Sequence, residues 1–504
     1  MSMPAEHLTA TMTLADLLQG IVDAPTGVPA IPVHGISSDS RRLEEGDVFL
    51  AVQGLTSHGL DFLAEAAESQ VAAVVWDSST GATPADIGIP TIAVPELASR
   101  LGEIADRFYG EPSAALGITG ITGTNGKTTV AWMIAQAGEL LGNRCGYLGT
   151  LGFGVGELQG DEGMTTPATI ELHGRLAEFA GQGASQAAIE VSSHALAQGR
   201  VDGVRFDTAI FTNLTRDHLD YHRDMRDYFD SKARLFLDCS PKHRIVNLDS
   251  EYGEQLAARC GQEVITVSTN FTRVANGRPY VFVRSVVANQ GGSDVSFTSS
   301  WGDGRFELRM PGDFNVANAL LVLALMLNNG IELARACDVM AQLSAPPGRM
   351  QRVAGNGPAA YVDYAHTPHA LEVALRALRP HTRGKLWCVF GCGGDRDTGK
   401  RPQMGKAAEH FADQVVVTSD NPRSEDPQSI IEDIVAGFAR PERATIVEDR
   451  AAAIAWALQR AADNDVVLIA GKGHENYQEI GAEQRPFSDY AVAAAALRKG
   501  EGAV

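Results

Sequence analysis

The sequence predicts an α/β protein of three domains. Apolar strands alternate with helical patterns along most of the 504 residues, and this length is too great for one hydrophobic core. A glycine-rich turn joins an apolar run to a helical pattern within 116–132, and a segment dense in proline and glycine at 345–353 precedes a new strand–helix series. We therefore expect a small N-terminal α/β domain at 1–112, a central domain at 113–345 and a C-terminal Rossmann-like domain at 346–504.

The composition is that of an ordinary globular protein with an acidic balance. The formal net charge is -20, so the chain has no basic field to displace counterions, and nucleic acid is excluded as a partner. The six cysteines form no CxxC pair, and we expect Cys388 and Cys392 to pack in a core. No run approaches the ~20 apolar residues of a membrane span, and no signal peptide is visible. We expect a protein of the reducing cytoplasm.

Each domain has its own strand pattern. The N-terminal domain has predicted strands at Val48–Val52, Ala72–Trp76 and Thr91–Val94. The central domain combines the apolar strands of a parallel sheet with alternating residues at 275–310, which indicate antiparallel strands. In the C-terminal domain, helical patterns separate five predicted strands of a parallel sheet: Tyr361–Tyr364, Lys385–Phe390, Gln414–Thr418, Thr445–Val447 and Asp465–Ala470.

The glycine-rich turn has the features of a phosphate loop. Backbone N–H groups at such a strand-to-helix turn bind phosphate, Lys127 adds a positive charge, and a threonine hydroxyl can reach Mg²⁺. The generic pattern has glycine where Ile121 stands, and the alternative is a tight turn with a solvated lysine. The predicted nucleotide-binding residues are Gly123, Thr124, Asn125, Gly126, Lys127, Thr128 and Thr129.

Polar residues follow several predicted strands, where ligands collect in open α/β sheets. Glu190 and the pair Asp217 and His218 come after strands of the central domain, and together they make a plausible Mg²⁺ environment. Lys232 lies on an amphipathic helix, where the residues alone indicate a solvated lysine. In the C-terminal domain the strand ends carry DYAHTP, GCGGDRDTGKRP, SDNPRSEDP and GKGHENY. These motifs predict a site, but no G-x-G-x-x-G opens a helix there, so NAD binding is not expected.

Several motifs together resemble the Mur ligases of peptidoglycan synthesis, in particular the type that adds diaminopimelate. The resemblance covers essentially the whole chain and rests on GITGTNGKTT, EVSSHALAQGR, NLTRDHLDYH, YFDSKARLF, GRMQ, DYAHTP and DNPR. It implies an ATP-dependent ligase that acts on a UDP-N-acetylmuramoyl dipeptide and meso-diaminopimelate; separately, we expect a monomer. ATP would phosphorylate the D-glutamate side-chain carboxylate, and the amino group of the incoming amino acid would attack the acyl phosphate.

The resemblance also implies roles for individual residues. Lys127, Glu190, His218 and Lys232 would be catalytic, with Lys232 converted to a carbamate. One Mg²⁺ would be held by Thr128 and Glu190, and another by Glu190, His218 and the Lys232 carbamate. Further nucleotide contacts would be Asn315, Asn318, Arg349 and Asp363. The UDP-sugar peptide would be held by Ser38, Ser40, Thr165, Thr166, Ser192, Gln198 and Arg200, whereas Met164 departs from the asparagine of some relatives.

The amino-acid pocket is assigned to the DNPR motif by the same resemblance. Diaminopimelate differs from lysine by a distal carboxylate, which an arginine fork can bind through two N–H groups. Arg423 is the expected reader, and lysine-adding relatives lack it. The whole predicted pocket consists of Arg396, Asp420, Asn421, Pro422, Arg423, Gly471 and Glu475. The alternatives are a lysine-adding Mur ligase, a folylpolyglutamate synthase, and a nucleotide switch that ligates nothing.

Overall fold

The computed structural model describes residues 12–22, 28–54, 57–160, 164–289 and 291–499. Within these residues the chain forms two compact units. The first contains the chain up to Lys127 together with Leu141–Arg244, and the second contains Thr128–Leu140 together with the chain from Ile245 onward. No helix of the described ranges is long and apolar enough to cross a membrane.

The N-terminal part of the first unit is a four-stranded parallel sheet with helices on both faces. The strand order is β1-β2-β3-β4. Alternate residues of β2 point to opposite faces, so Val48 and Leu50 pack in one core cluster while Phe49 and Ala51 pack in another. The elements are α1 Leu14–Leu17, β1 Gly35–Ser37, β2 Asp47–Ala51, α2 Leu63–Glu68, β3 Ala73–Asp77, β4 Thr91–Val94, α3 Leu97–Phe108 and α4 Pro112–Ala115. All three predicted strands are confirmed within one residue at each end.

The rest of the first unit carries the phosphate loop at the middle of a second sheet. The elements are β5 Gly117–Thr122, β6 Cys145–Gly149, β7 Gly152–Val155, α6 Thr169–Gly181, β8 Gln186–Glu190, α7 Ser193–Ala197, β9 Thr208–Phe211 and α8 Met225–Leu237. Helix α5 Lys127–Leu140 follows β5 in the chain and, from Thr128 onward, belongs to the second unit. The strand order is β9-β5-β8-β6-β7, parallel except for β7. The segments after β5, β8 and β9 therefore leave the sheet at one edge. Helix α5 begins at Lys127 and continues through the buried Thr128 and Thr129.

The second unit begins with strands that pass from parallel to antiparallel pairing. Its elements before the proline- and glycine-rich segment 345–353 are β10 His243–Asn247, α9 Glu251–Cys260, β11 Ile265–Ser268, β12 Tyr280–Asn289, β13 Gly292–Ser299, β14 Gly302–Leu308, α10 Asp313–Asn328 and α11 Leu333–Met340. The chain enters the unit within β10. Strands β12, β13 and β14 pair antiparallel, which confirms the prediction for 275–310. Almost every residue of α10 after its first turn is buried, because this helix is apolar around its whole circumference.

The C-terminal part of the second unit is a doubly covered sheet of the kind predicted. Its elements are β15 Gln351–Arg352, β16 Ala359–Asp363, α12 Pro368–Leu378, β17 Leu386–Phe390, α13 Lys400–Phe411, β18 Gln414–Val417, α14 Pro427–Val435, β19 Ala444–Ile446, α15 Arg450–Arg460, β20 Val466–Ala470, β21 Tyr477–Ile480, β22 Glu483–Pro486 and α16 Asp489–Lys499. The strand order is β15-β16-β20-β17-β18-β19, with only β15 antiparallel. Helices α12 to α14 pack on one face, and α15 and α16 pack on the other.

The hairpin β21–β22 is a feature that the sequence analysis missed. Its strands are largely polar and lack the apolar alternation that identifies a half-buried strand. The available signal was the two-residue turn Gly481-Ala482, in which Gly481 has φ +60°. Cys388 and Cys392 are buried and unpaired in the core of this sheet, as expected.

Candidate active site

The phosphate loop is fixed by the segment that follows β9. Gly123 has φ +148°, and a Cβ there would lie 1.9 Å from the Thr212 hydroxyl, so only glycine fits. The Asn125 N–H donates to Asn213 Oδ1 at 3.0 Å, and the Thr212 hydroxyl donates to the Asn125 carbonyl at 2.6 Å. The Lys127 ammonium donates to two loop carbonyls, each at 3.0 Å. The loop therefore has a defined conformation and carries a cation within it.

Lys232 is buried beside this loop, and the interpretation as a solvated lysine is wrong. Its side chain on α8 is 1% exposed, and Nζ donates to the Gly123 carbonyl at 2.9 Å. Nζ also lies 4.6 Å from the centre of the Tyr228 ring. Burial, reinforced by the positive charge of Lys127, holds the pKa of Lys232 well below its ordinary value. The amine is therefore biased toward its neutral, nucleophilic form.

Glu190 ends β8 with a fully buried carboxylate. It accepts from the Tyr147 hydroxyl at 2.7 Å and from the N–H and hydroxyl of Thr150 at 2.9 and 3.2 Å. A Cβ on Gly149 would lie 2.1 Å from Glu190 Oε1, so the β6–β7 turn can approach the carboxylate only with glycine. The sequence analysis missed Tyr147 and Thr150; the glycine-rich stretch 146–156 was the available signal.

Four of the predicted UDP-peptide residues form one cluster next to Glu190. The Thr166 hydroxyl donates to the Glu190 carbonyl at 2.7 Å and accepts from the Ser192 N–H at 3.1 Å. Arg200 Nη1 donates to the Thr166 carbonyl at 3.0 Å, and Arg200 Nε donates to Gln198 Oε1 at 2.9 Å. Burial lowers the pKa of Arg200, although the guanidinium stays charged at any physiological pH. The cluster presents hydroxyl, amide and guanidinium groups.

The other predicted UDP-peptide residues lie in more open positions. Thr165 is partly buried, with its hydroxyl 3.4 Å from that of Thr150, whereas the neighbouring Met164 side chain is 52% exposed. Ser38 is exposed, and Ser40 opens a short 3₁₀ turn capped by the Asp39 carboxylate. This cap is the turn chemistry that the residues themselves indicate.

His218 stands in a left-handed backbone conformation after β9, with φ +52°. Its side chain is 43% exposed, and Nε2 lies 3.6 Å from Asp217 Oδ2. Its ring meets the rings of His194 and Tyr228 edge-on, with centres 5.2 and 5.8 Å apart. The Tyr228 hydroxyl in turn lies 3.2 Å from the Thr124 hydroxyl of the phosphate loop. His218 is thus connected to the loop through Tyr228.

Among Glu190, His218 and Lys232, only Glu190 has side-chain oxygen atoms, the ligands that Mg²⁺ prefers. Across the part of the chain that the structure describes, no three His, Cys, Asp or Glu side chains are grouped to hold a metal ion. The Glu190 carboxylate is a suitable oxygen donor for Mg²⁺, whereas the His218 imidazole is a nitrogen donor, which Mg²⁺ binds less readily. As an amine, Lys232 supplies no oxygen and would repel a cation when protonated, whereas a carbamate on the same nitrogen would supply two oxygens and a negative charge. A carbamate on Lys232 would therefore improve the fit of this donor set to Mg²⁺.

Two of the predicted nucleotide contacts of the second unit, Asn315 and Asn318, are buried, and local hydrogen bonds order the backbone near them and near Asp363. At the start of α10, the Asn315 amide donates to the Pro311 carbonyl at 2.8 Å, and the Asn318 amide lies 3.5 Å from Asn315 Oδ1. Asp363, at the end of β16, accepts from the N–H of Met350 at 2.7 Å. These contacts fix the backbone around the predicted residues.

Arg349 lies near Asp363 and over the aromatic ring of Tyr364. Burial raises the pKa of Asp363, and the nearby positive charge of Arg349 opposes this shift. The Arg349 guanidinium lies over the Tyr364 ring, 4.9 Å from its centre. The stacked ring holds the guanidinium plane in one orientation.

Arg423 is held at both ends of its guanidinium. Nε lies 2.7 Å from Glu479 Oε2, and Nη1 donates to the Gly394 carbonyl at 2.9 Å. The backbone of Arg423 has φ +51°, a left-handed conformation for a residue with a long side chain. Arg396, also predicted in this pocket, is exposed. The hairpin residue Glu479 was missed by the sequence analysis.

A buried lysine organises the other half of the predicted pocket. Lys472 is 0% exposed, and its ammonium donates to Asn421 Oδ1 at 2.8 Å and to Glu475 Oε2 at 2.9 Å. The Asn421 amide also donates to Glu475 Oε2, at 3.0 Å. One carboxylate oxygen of Glu475 thus accepts two bonds, and the other, Oε1, accepts none from the described residues. Lys472 lies in the GKGHENY motif but was not among the residues predicted for the amino-acid pocket.

The remaining pocket residues are brought together by Arg450. Its guanidinium donates to both carboxylate oxygens of Asp489 at 2.7 Å, and to the carbonyls of Ser419 and Ala470 at 3.2 and 3.0 Å. These carbonyls precede Asp420 and Gly471. Gly471 has φ +118°, and a Cβ there would lie 2.5 Å from Asp420 Oδ2. Pro422 likewise approaches Gly394 closely, since a Cβ on that glycine would lie 2.0 Å from the Pro422 carbonyl.

Comparison with known proteins finds relatives over nearly the whole chain. Residues 32–109 match the Mur ligase family catalytic domain, 121–326 the Mur ligase middle domain, and 348–473 the Mur ligase glutamate ligase domain. The chain is 47% identical to the UDP-N-acetylmuramoyl-L-alanyl-D-glutamate–2,6-diaminopimelate ligase of Chromobacterium violaceum, over 93% of this chain and 94% of the relative. It is 45% identical to the ligase of that description from Xanthomonas campestris, over 97% and 98%.

Solved structures agree with this comparison. A structure of UDP-N-acetylmuramoyl-L-alanyl-D-glutamate–2,6-diaminopimelate ligase is 34% identical and superposes with a TM-score of 0.76, over 98% of this chain and 100% of that chain. Folylpolyglutamate synthase of Mycobacterium tuberculosis, complexed with ADP and AMPPCP, is 18% identical with a TM-score of 0.57, over 81% and 96%. The second likeness bears on the fold alone.

Proposed function

Because the chain belongs to the Mur ligase family and has its three-domain α/β fold, we propose that it joins meso-diaminopimelate to the D-glutamate side chain of UDP-N-acetylmuramoyl-L-alanyl-D-glutamate. The choice of diaminopimelate over lysine rests on Arg423, whose partly exposed guanidinium is fixed between Gly394 and Glu479. A guanidinium in this position suits the distal carboxylate that lysine lacks. Cytoplasmic location belongs to the proposal, because ATP and a UDP-linked precursor are the substrates.

The proposed reaction has two steps. An oxygen of the D-glutamate side-chain carboxylate attacks the γ-phosphorus of ATP, the bond to the bridging oxygen breaks, and ADP leaves. The amino nitrogen of diaminopimelate then attacks the acyl carbon, the acyl–oxygen bond breaks, inorganic phosphate leaves and the nitrogen loses a proton. The phosphate loop supports the first step, because its N–H groups and the Lys127 ammonium can stabilise charge on the transferred phosphoryl group.

The low pKa and burial of Lys232 support its conversion to a carbamate. A neutral amine attacks carbon dioxide, one carbon–oxygen π bond opens, and the nitrogen releases a proton to leave a negatively charged carbamate. Glu190, His218 and this carbamate would then hold Mg²⁺. The ion, when bound, neutralises charge on the phosphate oxygens during transfer. Without the carbamate, Lys232 offers no oxygen ligand, and any protonated fraction of it would oppose a cation in this position.

Substrate recognition is divided between two clusters in the proposal. Thr166, Ser192, Gln198 and Arg200 would contact the UDP-linked peptide, because they offer polar groups and one positive charge next to Glu190. In the amino-acid pocket, Glu475 Oε1 would accept from the distal ammonium of diaminopimelate. Asn315, Asn318, Arg349 and Asp363 remain the proposed additional nucleotide contacts.

The test is phosphate release from ATP in the presence of the UDP-muramoyl dipeptide, with meso-diaminopimelate or L-lysine added separately. Release that requires both the dipeptide and diaminopimelate is the expected result. Release with lysine would keep the ligase chemistry and overturn the amino-acid assignment. Release that needs no amino acid would instead favour a nucleotide switch.

A further inference from the structure

We propose that Glu479, on the hairpin β21–β22, is a positioning residue that aims the guanidinium of Arg423 and thereby sets the preference for an amino acid with a distal carboxylate. The inference rests on the proposed function, which assigns Arg423 to the substrate. It adds a residue and an element that the sequence pattern did not reveal.

The hairpin is attached to the DNPR segment through the main chain. The Arg423 N–H donates to the Glu479 carbonyl at 3.1 Å, and the Gly481 N–H donates to the Arg423 carbonyl at 2.7 Å. The Glu479 N–H donates to Asn421 Oδ1 at 3.0 Å. Arg423 therefore pairs with the hairpin on both sides of its peptide unit, and this pairing supports its left-handed conformation.

The side chains continue this pairing in a way that leaves one edge of the guanidinium for a ligand. Glu479 accepts from Nε, and the Gly394 carbonyl accepts from one N–H of Nη1. Within the described residues, Nη2 donates to no other group. The second N–H of Nη1 and the Nη2 groups together form the end-on edge of the fork, which binds a carboxylate through two parallel bonds. The anchors on Nε and on one N–H of Nη1 therefore fix the direction of this edge.

The atom that Glu479 contacts indicates that it orients the Arg423 guanidinium and does not compete with the substrate carboxylate for it. A carboxylate that blocked the substrate would occupy the edge formed by Nη1 and Nη2, whereas Glu479 contacts Nε. The pair is also only partly exposed, at 24% for the Arg423 side chain and 33% for that of Glu479. A pair shielded to this degree holds its geometry better than one on an open surface.

Glu483 provides a matched control on the same hairpin. It also pairs with an arginine, Arg485, at 2.7 Å, but both side chains are more than half exposed and lie on β22. Glu479→Ala should raise the KM for meso-diaminopimelate by about 10- to 100-fold, the range for a slightly misplaced binding group, and leave the KM for ATP unchanged. Glu483→Ala should change neither. Glu479→Gln, which keeps an oxygen acceptor for Nε, should recover most of the loss.

Inhibition by L-lysine supplies the readout that a general structural defect would not produce. Lysine has no distal carboxylate, so its inhibition constant should be the same in Glu479→Ala and wild type. An unchanged or lower KM for diaminopimelate in Glu479→Ala would overturn the inference, as would an equal loss of affinity for ATP. Failure of wild type to use diaminopimelate would refute the proposed function instead, and that result is obtained before any variant is measured.

Discussion

The buried ion pair between Arg450 and Asp489 supports a quantitative prediction about the C-terminal sheet. Both side chains are 0% exposed, and Arg450 also donates to the carbonyl of Ser419, which follows β18, and to that of Ala470, the last residue of β20. Arg450→Met would leave the Asp489 carboxylate buried without its partner. Breaking a buried pair in this way costs about 3–5 kcal/mol, and the packing that the methionine side chain retains does not offset this loss.

Hydrogen exchange at the backbone amides of β20 is the appropriate assay, because a chain with several domains need not unfold in one step. A loss of about 3 kcal/mol predicts exchange roughly 150-fold faster for the most protected of these amides. Arg376→Met is the matched control, since Arg376 pairs with Glu372 at 2.9 Å but is 63% exposed. That variant should cost less than about 1 kcal/mol.

The apolar double variant Arg450→Met/Asp489→Leu tests the cause of the loss. Removing both charges should restore much of the protection, because no uncompensated charge then remains buried. If Arg450→Met and Arg376→Met gave equal exchange rates, the reasoning from burial would be refuted. Protection in the double variant below that of Arg450→Met would show that the pair is not the source of the effect.

Three further predictions concern the proposed site. Arg423→Ala should weaken binding of diaminopimelate by about 2–5 kcal/mol and hardly change the KM for ATP; equal effects on both substrates would misplace the pocket. Lys472→Met should reduce kcat/KM for diaminopimelate by about tenfold and weaken inhibition by L-lysine as well, because Glu475 would read an ammonium that both amino acids carry; a selective effect on diaminopimelate would contradict this role. Lys232→Met should abolish ligation yet raise the thermal midpoint in carbon-dioxide-free buffer. Burial holds the pKa of Lys232 below its ordinary 10.5, so the unfolded chain binds more protons and the gain should grow as the pH falls from 10.5 toward the lowered pKa. A gain that is independent of pH in that window would be evidence against a neutral buried amine.

Much of the fold followed from local patterns in the sequence. The strands of the N-terminal and C-terminal sheets are apolar runs bounded by turn residues, and their predicted bounds agree with the structure to within two residues. The antiparallel strands β12 to β14 carry the alternation that one solvated face imposes. The hairpin β21–β22 was not predicted, because neither face of it is buried. A strand shows alternating apolar and polar residues only when one of its faces packs against a core.

For the site, the sequence by itself determined which residue types stand at the ends of the strands. It indicated the phosphate loop, Glu190 and, through the resemblance of its motifs, Arg423. It did not determine which charged side chains are buried. Lys232 stands on an amphipathic helix typical of a solvated lysine, and Lys472 stands in a polar, glycine-rich strand-end motif, yet both are inaccessible to water.

Only the tertiary structure decided the environment of these lysines. Lys232 donates to Gly123, 109 residues away in the chain, and Lys472 donates to Asn421, 51 residues away. The protonation of a lysine depends on how completely distant segments exclude water and on the charges that they bring near it. No local pattern records such contacts, so the sequence can identify the groups of this site but not their charge.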